Sequence, residues 1–171
     1  GLGCKFRDYM AAGYYSLSSP VWANYGTNRG LPVSCFGSFV DDNIPSIMQG
    51  VSEVGAMSKF GGGCSGYFGN IRPRGSEIGE GNGKTFGAVH FMELFETLTS
   101  VVSQGTVRRG FFSPYLPIDH GDIEEFIEIG SEGHPIQGLT HGVTVRNEWM
   151  ESMIAGDKQK RKVCLLYTSD A

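Results

Sequence analysis

The sequence predicts an α/β fold built on parallel strands. Extended runs alternate with segments of helical period along the chain. The central extended run, residues 31–40, mixes apolar and small residues, as a strand buried on both faces does. Glycine supplies the third observation. The chain has 171 residues, 26 of them glycine, clustered at 61–63, 75–87 and 105–110 between the periodic segments. There they mark loops that bring backbone close to something.

Taken in order, Tyr9 to Ser16 is aromatic and weakly periodic, as at the end of a helix. Ser16 to Pro20 (SLSSP) is a polar turn, and Pro20 is expected to open an extended stretch. After a loop over 26–30, Leu31 to Val40 is the first strand, closing on Asp41 and Asp42. Asn43 is placed to cap a helix with Pro45 in its first turn, where a missing N–H costs nothing. Ile44, Ile47, Val51, Val54 and Met57 mark one face of that helix until Gly61 ends it. A second glycine-rich loop is expected to run to Phe86. The clearest helix follows, through Val89, Met92, Leu94, Phe95, Leu98, Val101 and Val102, and stops at Gly105. Phe111 to Ile118 is a strand interrupted by Pro114 and Pro117. Asp119 or Asp122 caps a short acidic helix bearing Ile123, Phe126 and Ile127. Gly138 to Val145 is extended, and Asn147 starts a helix through Trp149, Met150, Met153 and Ile154.

A net charge of −4 argues against a general nucleic-acid binder, which carries Lys and Arg in excess to neutralise phosphates. No apolar run reaches the roughly 18 residues of a membrane span. Cys4, Cys35, Cys64 and Cys164 make no CxxC pair and no repeated spacing, which disfavours zinc and a disulfide framework. A cytoplasmic protein with reduced thiols is expected. Both ends read as cut, so a fragment is expected too.

Three constellations carry potential chemistry. Cys35, between Ser34 and the thinning Gly37, is either inert strand packing or a thiol facing a pocket. Arg72 and Arg74 (NIRPRG, 70–75) are either a solvated basic turn or a fork for phosphate oxygens. Residues 103–110 (SQGTVRRG) are a helix C-cap or a mobile loop with hydrogen-bonding heads, with Gln104 able to read a base edge. His90, His120, His134 and His141 lack metal-ligand spacing and suit structural roles. Glu124, Glu125 and Glu128 read as a solvated helix face, and Cys64 as a small residue chosen for space.

Together, SLSSPVWANYGTNRGLPVSCFGSFVDDNI, GGGCSGYFGNIRPRGSEI and SQGTVRRGFFSPYLPIDHGDIEEF resemble the large, catalytic subunit of ribonucleotide reductase. The resemblance runs from about Ser16 to Lys162 and is closest in style to class I subunits of bacterial and phage type. It implies the first part of a ten-stranded α/β barrel over 1–162. Residues 163–171 lose the pattern and resemble sequencing read-through.

By motif, the resemblance makes Cys35 the first redox cysteine. It makes Ser19, Ser34 and Gly63 contacts for substrate phosphates and ribose. Asp42, Asn43, Ile44 and Arg72 match the site of a deoxynucleoside triphosphate or ATP effector. Gln104 and Arg108 match the arms of the loop linking effector to substrate.

The implied partners are the ribonucleotide substrate, a second copy docked through the helices at 44–57 and 89–102, a diiron or dimanganese radical-generating small subunit, and thioredoxin or glutaredoxin. No cofactor or metal is expected on this stretch, and no membrane. The family's radical cysteine lies beyond the matched motifs, so the chain alone is expected to be inactive. Two alternatives remain: a class II, adenosylcobalamin-dependent reductase, and a non-catalytic nucleotide-sensing module.

Overall fold

Strand and helix alternate from Cys35 onward in the computed structural model, which describes residues 1–28, 30–59, 61–81, 83–102 and 110–156. The chain divides into two units, residues 1–34 and 35–171. The first holds helices α1 (Leu2–Ala11) and α2 (Ser19–Asn24). Tyr15 packs edge-on against Phe6, with ring centroids 4.9 Å apart, and donates its hydroxyl to the Phe6 carbonyl at 2.8 Å. Pro20 does not open an extended stretch. It sits in the first turn of α2 and is buried, a position where its fixed φ suits a helix and no intrahelical N–H is lost.

The second unit runs β1 (Cys35–Phe39), α3 (Ile44–Lys59), β2 (Gly63–Tyr67), α4 (Ala88–Val102), β3 (Phe111–Pro117), α5 (Ile123–Ile127), β4 (Gly142–Thr144) and α6 (Asn147–Ile154). The four strands form one sheet in the order β1-β2-β3-β4, and every neighbouring pair is parallel. Strands consecutive in sequence are thus consecutive in space. With right-handed crossovers, such an order carries the connecting helices onto one face, as in the wall of an α/β barrel. The parallel α/β expectation holds.

Burial follows that one-sidedness. Cys64, Phe112 and Leu116 of the strands join Ile47 and Val54 of α3, Val89, Met92 and Phe95 of α4, and Phe126 of α5 in a single core. At its centre Phe95 stacks on Phe112, with centroids 4.7 Å apart. Phe68 meets both rings edge-on, at 5.3 and 6.1 Å, an arrangement favoured by the ring quadrupoles. The opposite strand face carries exposed Cys35, Gly37, Phe39, Phe111 and Tyr115. The first strand is therefore shorter than residues 31–40 and buried on one face rather than two.

The expected glycine loop from 61 to 86 contains a strand, β2, in the middle of the sheet. Its glycines are a packing requirement. A Cβ on Gly66 would lie 2.7 Å from Phe112 Cζ and 3.0 Å from Phe68 Cε2, so only glycine admits both rings.

Asn43 caps α3 as expected, its Oδ1 accepting the Ser46 N–H at 2.9 Å. The apolar stripes assigned to a second subunit are largely used at home. Ile47 and Val54 of α3 and Val89, Met92 and Phe95 of α4 pack onto the sheet, while Ile44, Met48, Leu94 and Val101 stay exposed.

Two neighbouring substitutions test which face is buried. Gly66→Ala forces a methyl into the ring cluster and should lower the free energy of unfolding by roughly 1–3 kcal/mol. Ser65→Ala, on the other face, removes one hydroxyl bond to the Phe36 carbonyl at 3.3 Å and should cost less than about 1 kcal/mol. Urea unfolding of the two variants checks this, and equal losses would contradict the assignment of faces.

Candidate functional site

All four strands end on the same edge, and a cleft of about 950 Å³ opens there. The carboxyl ends of parallel strands are the usual binding edge of such sheets, because the loops that follow them are free to vary. Asp42 follows β1, Arg72 and Glu77 follow β2, Asp119 follows β3 and Arg146 follows β4, and all line the cleft with Lys84.

Arg72 is fixed by two bonds: Nε donates to Asp42 Oδ2 at 2.5 Å and Nη1 donates to the Glu77 carbonyl at 2.7 Å. Both partners of the Asp42–Arg72 pair stay partly exposed, so the guanidinium can meet an anion without leaving its seat. Asn70 donates to Asp41 Oδ1 at 3.2 Å, and Arg146 pairs with Asp119 across the far side. Three cations thus face the cleft, two of them held by a carboxylate, a set able to bind a multiply charged anion bearing hydroxyl donors.

The structure brings Asp42 and Arg72 together. Asn43 caps α3 and Ile44 begins it, and neither is among the residues lining the cleft. Arg74 does not share the cleft; it turns out to Glu125, at 2.9 and 2.5 Å. Glu125 hydrogen-bonds Arg74 and raises its pKa, partly offset by burial. Glu125 is therefore not simply part of a solvated face. Gln104 and Arg108 lie outside the described residues, as does the stretch from 157 to 171.

The open strand face carries a second arrangement. Cys35 of β1 pairs in register with Gly63 of β2, and Gly63 with Phe111 of β3. The next row is Gly37, Ser65 and Ser113. Cys35 is exposed, so the packing reading does not describe it. Cys64, one residue along β2, is the packed thiol, and burial pushes its pKa up. Ser19 begins α2 and Ser34 ends the first unit.

His120 is buried and hydrogen-bonded to backbone at both ring nitrogens, a structural role. Among the described residues no group of three His, Cys, Asp or Glu side chains is placed to hold a metal. No helix among them is long and apolar enough to cross a membrane.

Lys84, Asp119 and Arg146 were not singled out by motif. Their signal was positional: Asp119 and Arg146 each follow a strand within two residues, and Lys84 pairs with Glu77 in an isolated bridge.

Residues 33–164 match the family model described as ribonucleotide reductase, barrel domain. A putative ribonucleoside-diphosphate reductase large subunit of Frog virus 3 is 32% identical over 157 residues, covering 90% of this chain and 26% of that protein. A vitamin B12-dependent ribonucleoside-diphosphate reductase of Thermoplasma acidophilum is 31% identical over 150 residues, covering 87% of this chain and 20% of that protein. Among solved structures, the Actinobacillus ureae class Id ribonucleotide reductase alpha subunit superposes with a TM-score of 0.79 at 52% identity, covering 95% of this chain and 29% of that one. The chain therefore spans roughly a quarter of the length of these relatives. With a singly wound parallel sheet, a cleft at its carboxyl edge and a family match over most of its length, this chain belongs to the ribonucleotide reductase barrel-domain family.

Proposed function

We propose that the chain is the first part of the catalytic barrel of a class I ribonucleoside-diphosphate reductase, and that it supplies half of the substrate pocket and most of an effector site. The observation that carries this reading is the separation of two arrangements on one sheet. An exposed thiol in register with a glycine lies on the open face, and an arginine–carboxylate cleft lies at the strand ends.

In the reaction, the ribose C2′–OH bond is replaced by C2′–H and the hydroxyl leaves as water. Two cysteine thiols supply two electrons and two protons and end as a disulfide. Cys35 is one of the pair; its partner, and the radical cysteine that activates the ribose, belong to later parts of the subunit. Gly63 is a contact for substrate phosphates and ribose. A glycine beside the reacting thiol lets substrate approach the backbone closely.

At the cleft, Arg72 holds the phosphates of a deoxynucleoside triphosphate or ATP, and Asp42, Asn43 and Ile44 meet its sugar and base where helix N–H groups are available. Gln104 and Arg108 carry the effector's identity to the substrate. The exposed apolar residues Ile44, Met48, Leu94 and Val101 provide a homodimer contact through α3 and α4. The radical comes from a diiron or dimanganese small subunit, and thioredoxin or glutaredoxin re-reduces the cysteines. The B12-dependent relatives favour a second reading, in which adenosylcobalamin is the radical source. Dependence of the complete enzyme on a small subunit or on adenosylcobalamin separates the two.

In the complete subunit, Cys35→Ser should reduce nucleotide reduction with a dithiol reductant to background while triphosphate binding persists. Continued turnover would remove Cys35 from the redox pair; a wild-type subunit that binds triphosphate but reduces no ribonucleotide would favour the nucleotide-sensing module. Arg72→Ala removes charge-assisted hydrogen bonds worth roughly 1.5–3 kcal/mol. Equilibrium binding should show about tenfold or greater loss of effector affinity with little change in KM for the ribonucleotide. Equal weakening of both would contradict the assignment.

A further inference from the structure

The loop over 75–87 forms the wall of the cleft that carries Glu77 and Lys84. Packing does little to hold it: its described residues from 77 to 84 are exposed, and Thr85 and Gly87 are its buried members. Its attachments are polar: backbone bonds from Gly75 N–H to the Thr85 carbonyl and from Thr85 N–H to the Ser76 carbonyl close it on itself, Arg72 holds the Glu77 carbonyl, and its neck is tied to one short segment after β3.

Buried His120 accepts the Asp122 N–H at Nδ1, at 3.1 Å. The ring proton therefore sits on Nε2, which donates to the Ile71 carbonyl at 2.7 Å. The Asp122 carboxylate, 5% exposed, then grips both ends of the loop at once. Oδ1 accepts the Arg74 N–H at 2.7 Å, and Oδ2 accepts the Ala88 N–H at 2.8 Å. Outside this neck, the Arg74 guanidinium closes on Glu125.

Asp122 stands at the N-cap position of α5 yet makes no side-chain cap bond there. Its oxygens go instead to the loop neck and to the first N–H of α4. Gly87 permits this closure: its φ is +87°, and a Cβ there would lie 2.4 Å from Asp122 Oδ2.

We propose that Asp122 is a positioning residue for the effector site, fixing loop 75–87 and the start of α4 as one unit, with Glu125 as its outer brace. The proposal rests on the effector reading above. A charge-assisted bond to backbone N–H is roughly twice as strong as a neutral one, and here two of them close a loop that has little apolar anchorage. Since α4 ends at Val102, directly before the segment bearing Gln104 and Arg108, the same carboxylate sets the origin of the helix leading into it. Neither Asp122 nor Glu125 lines the cleft, so both act through the loop.

The test is made on the complete subunit with the four deoxynucleoside triphosphates as probes, measuring equilibrium binding and ribonucleotide reduction with and without effector. Asp122→Asn turns one acceptor into an N–H donor facing a backbone N–H. Effector dissociation constants should rise about tenfold or more, and the effector-driven change in substrate preference should shrink. Effector-free turnover and ribonucleotide KM should stay within about twofold. Glu125→Gln leaves the buried carboxylate in place and should move effector affinity the same way, by about two- to fivefold.

Wild-type protein that binds no triphosphate would overturn the effector reading itself. Wild-type protein that binds, beside folded variants that bind equally well, would overturn the positioning role alone. A parallel fall in effector-free turnover and effector affinity would also overturn it, since a merely structural residue behaves so. If Asp122→Asn does not fold, Glu125→Gln decides on the same criteria.

Discussion

Burial on a single face of a parallel sheet is the constraint from which the rest follows. The rings of Phe68, Phe95 and Phe112 occupy the space between strands and helices. They require β2 to present a bare backbone at Gly66 on that side. Once the helices are committed to one face, the other carries small and polar residues in register, Cys35 beside Gly63 and Gly37 beside Ser65, along with exposed Phe39, Phe111 and Tyr115. A thiol in that row has no core to join. The strand ends, pointing the same way, leave their loops to build a separate cleft. Core packing thus separates the two candidate sites before any ligand is considered.

The cleft is organised by electrostatics rather than by apolar contact. Asp42 aims Arg72, Asp119 pairs with Arg146, and buried Asp122 ties the intervening loop to α4. Asp42 comes from the connection after β1, and Asp119 and Asp122 from the connection after β3, so the arrangement exists only when the strands are in order. The fold and the cleft are therefore one construction.

Much of this was legible in the sequence where periodicity was strong. Helices α3 and α4 and strand β3 announced themselves, because apolar spacing and caps such as Asn43 agreed with the tertiary answer. Strand β2 did not. GGGCSGY offers no β-branched residue and reads as loop, since its glycines serve close ring packing and a neighbouring thiol rather than a turn. Pro20 misled in the opposite direction, because proline suits the first helical turn as well as an extended run. The span of β1 was overestimated because CFGSF gives no clean apolar alternation. At the site, Asp42 and Arg72 are visible through their motifs. Lys84, Asp119 and Arg146 are not, because their role depends on strand order, and Asp122 looks locally like a helix cap although its partners lie 48 and 34 residues away.

On the proposed function, one sheet carries two nucleotide sites, a reducible substrate on the open face and an effector at the carboxyl edge. A crystal structure of the complete subunit with a deoxynucleoside triphosphate and a ribonucleoside diphosphate bound together tests it most directly. Triphosphate oxygens are expected on Arg72 with the sugar beside Asp42, and the ribose of the diphosphate in van der Waals contact with Cys35 Sγ. A triphosphate bound away from Arg72, or a ribose remote from Cys35, would contradict it.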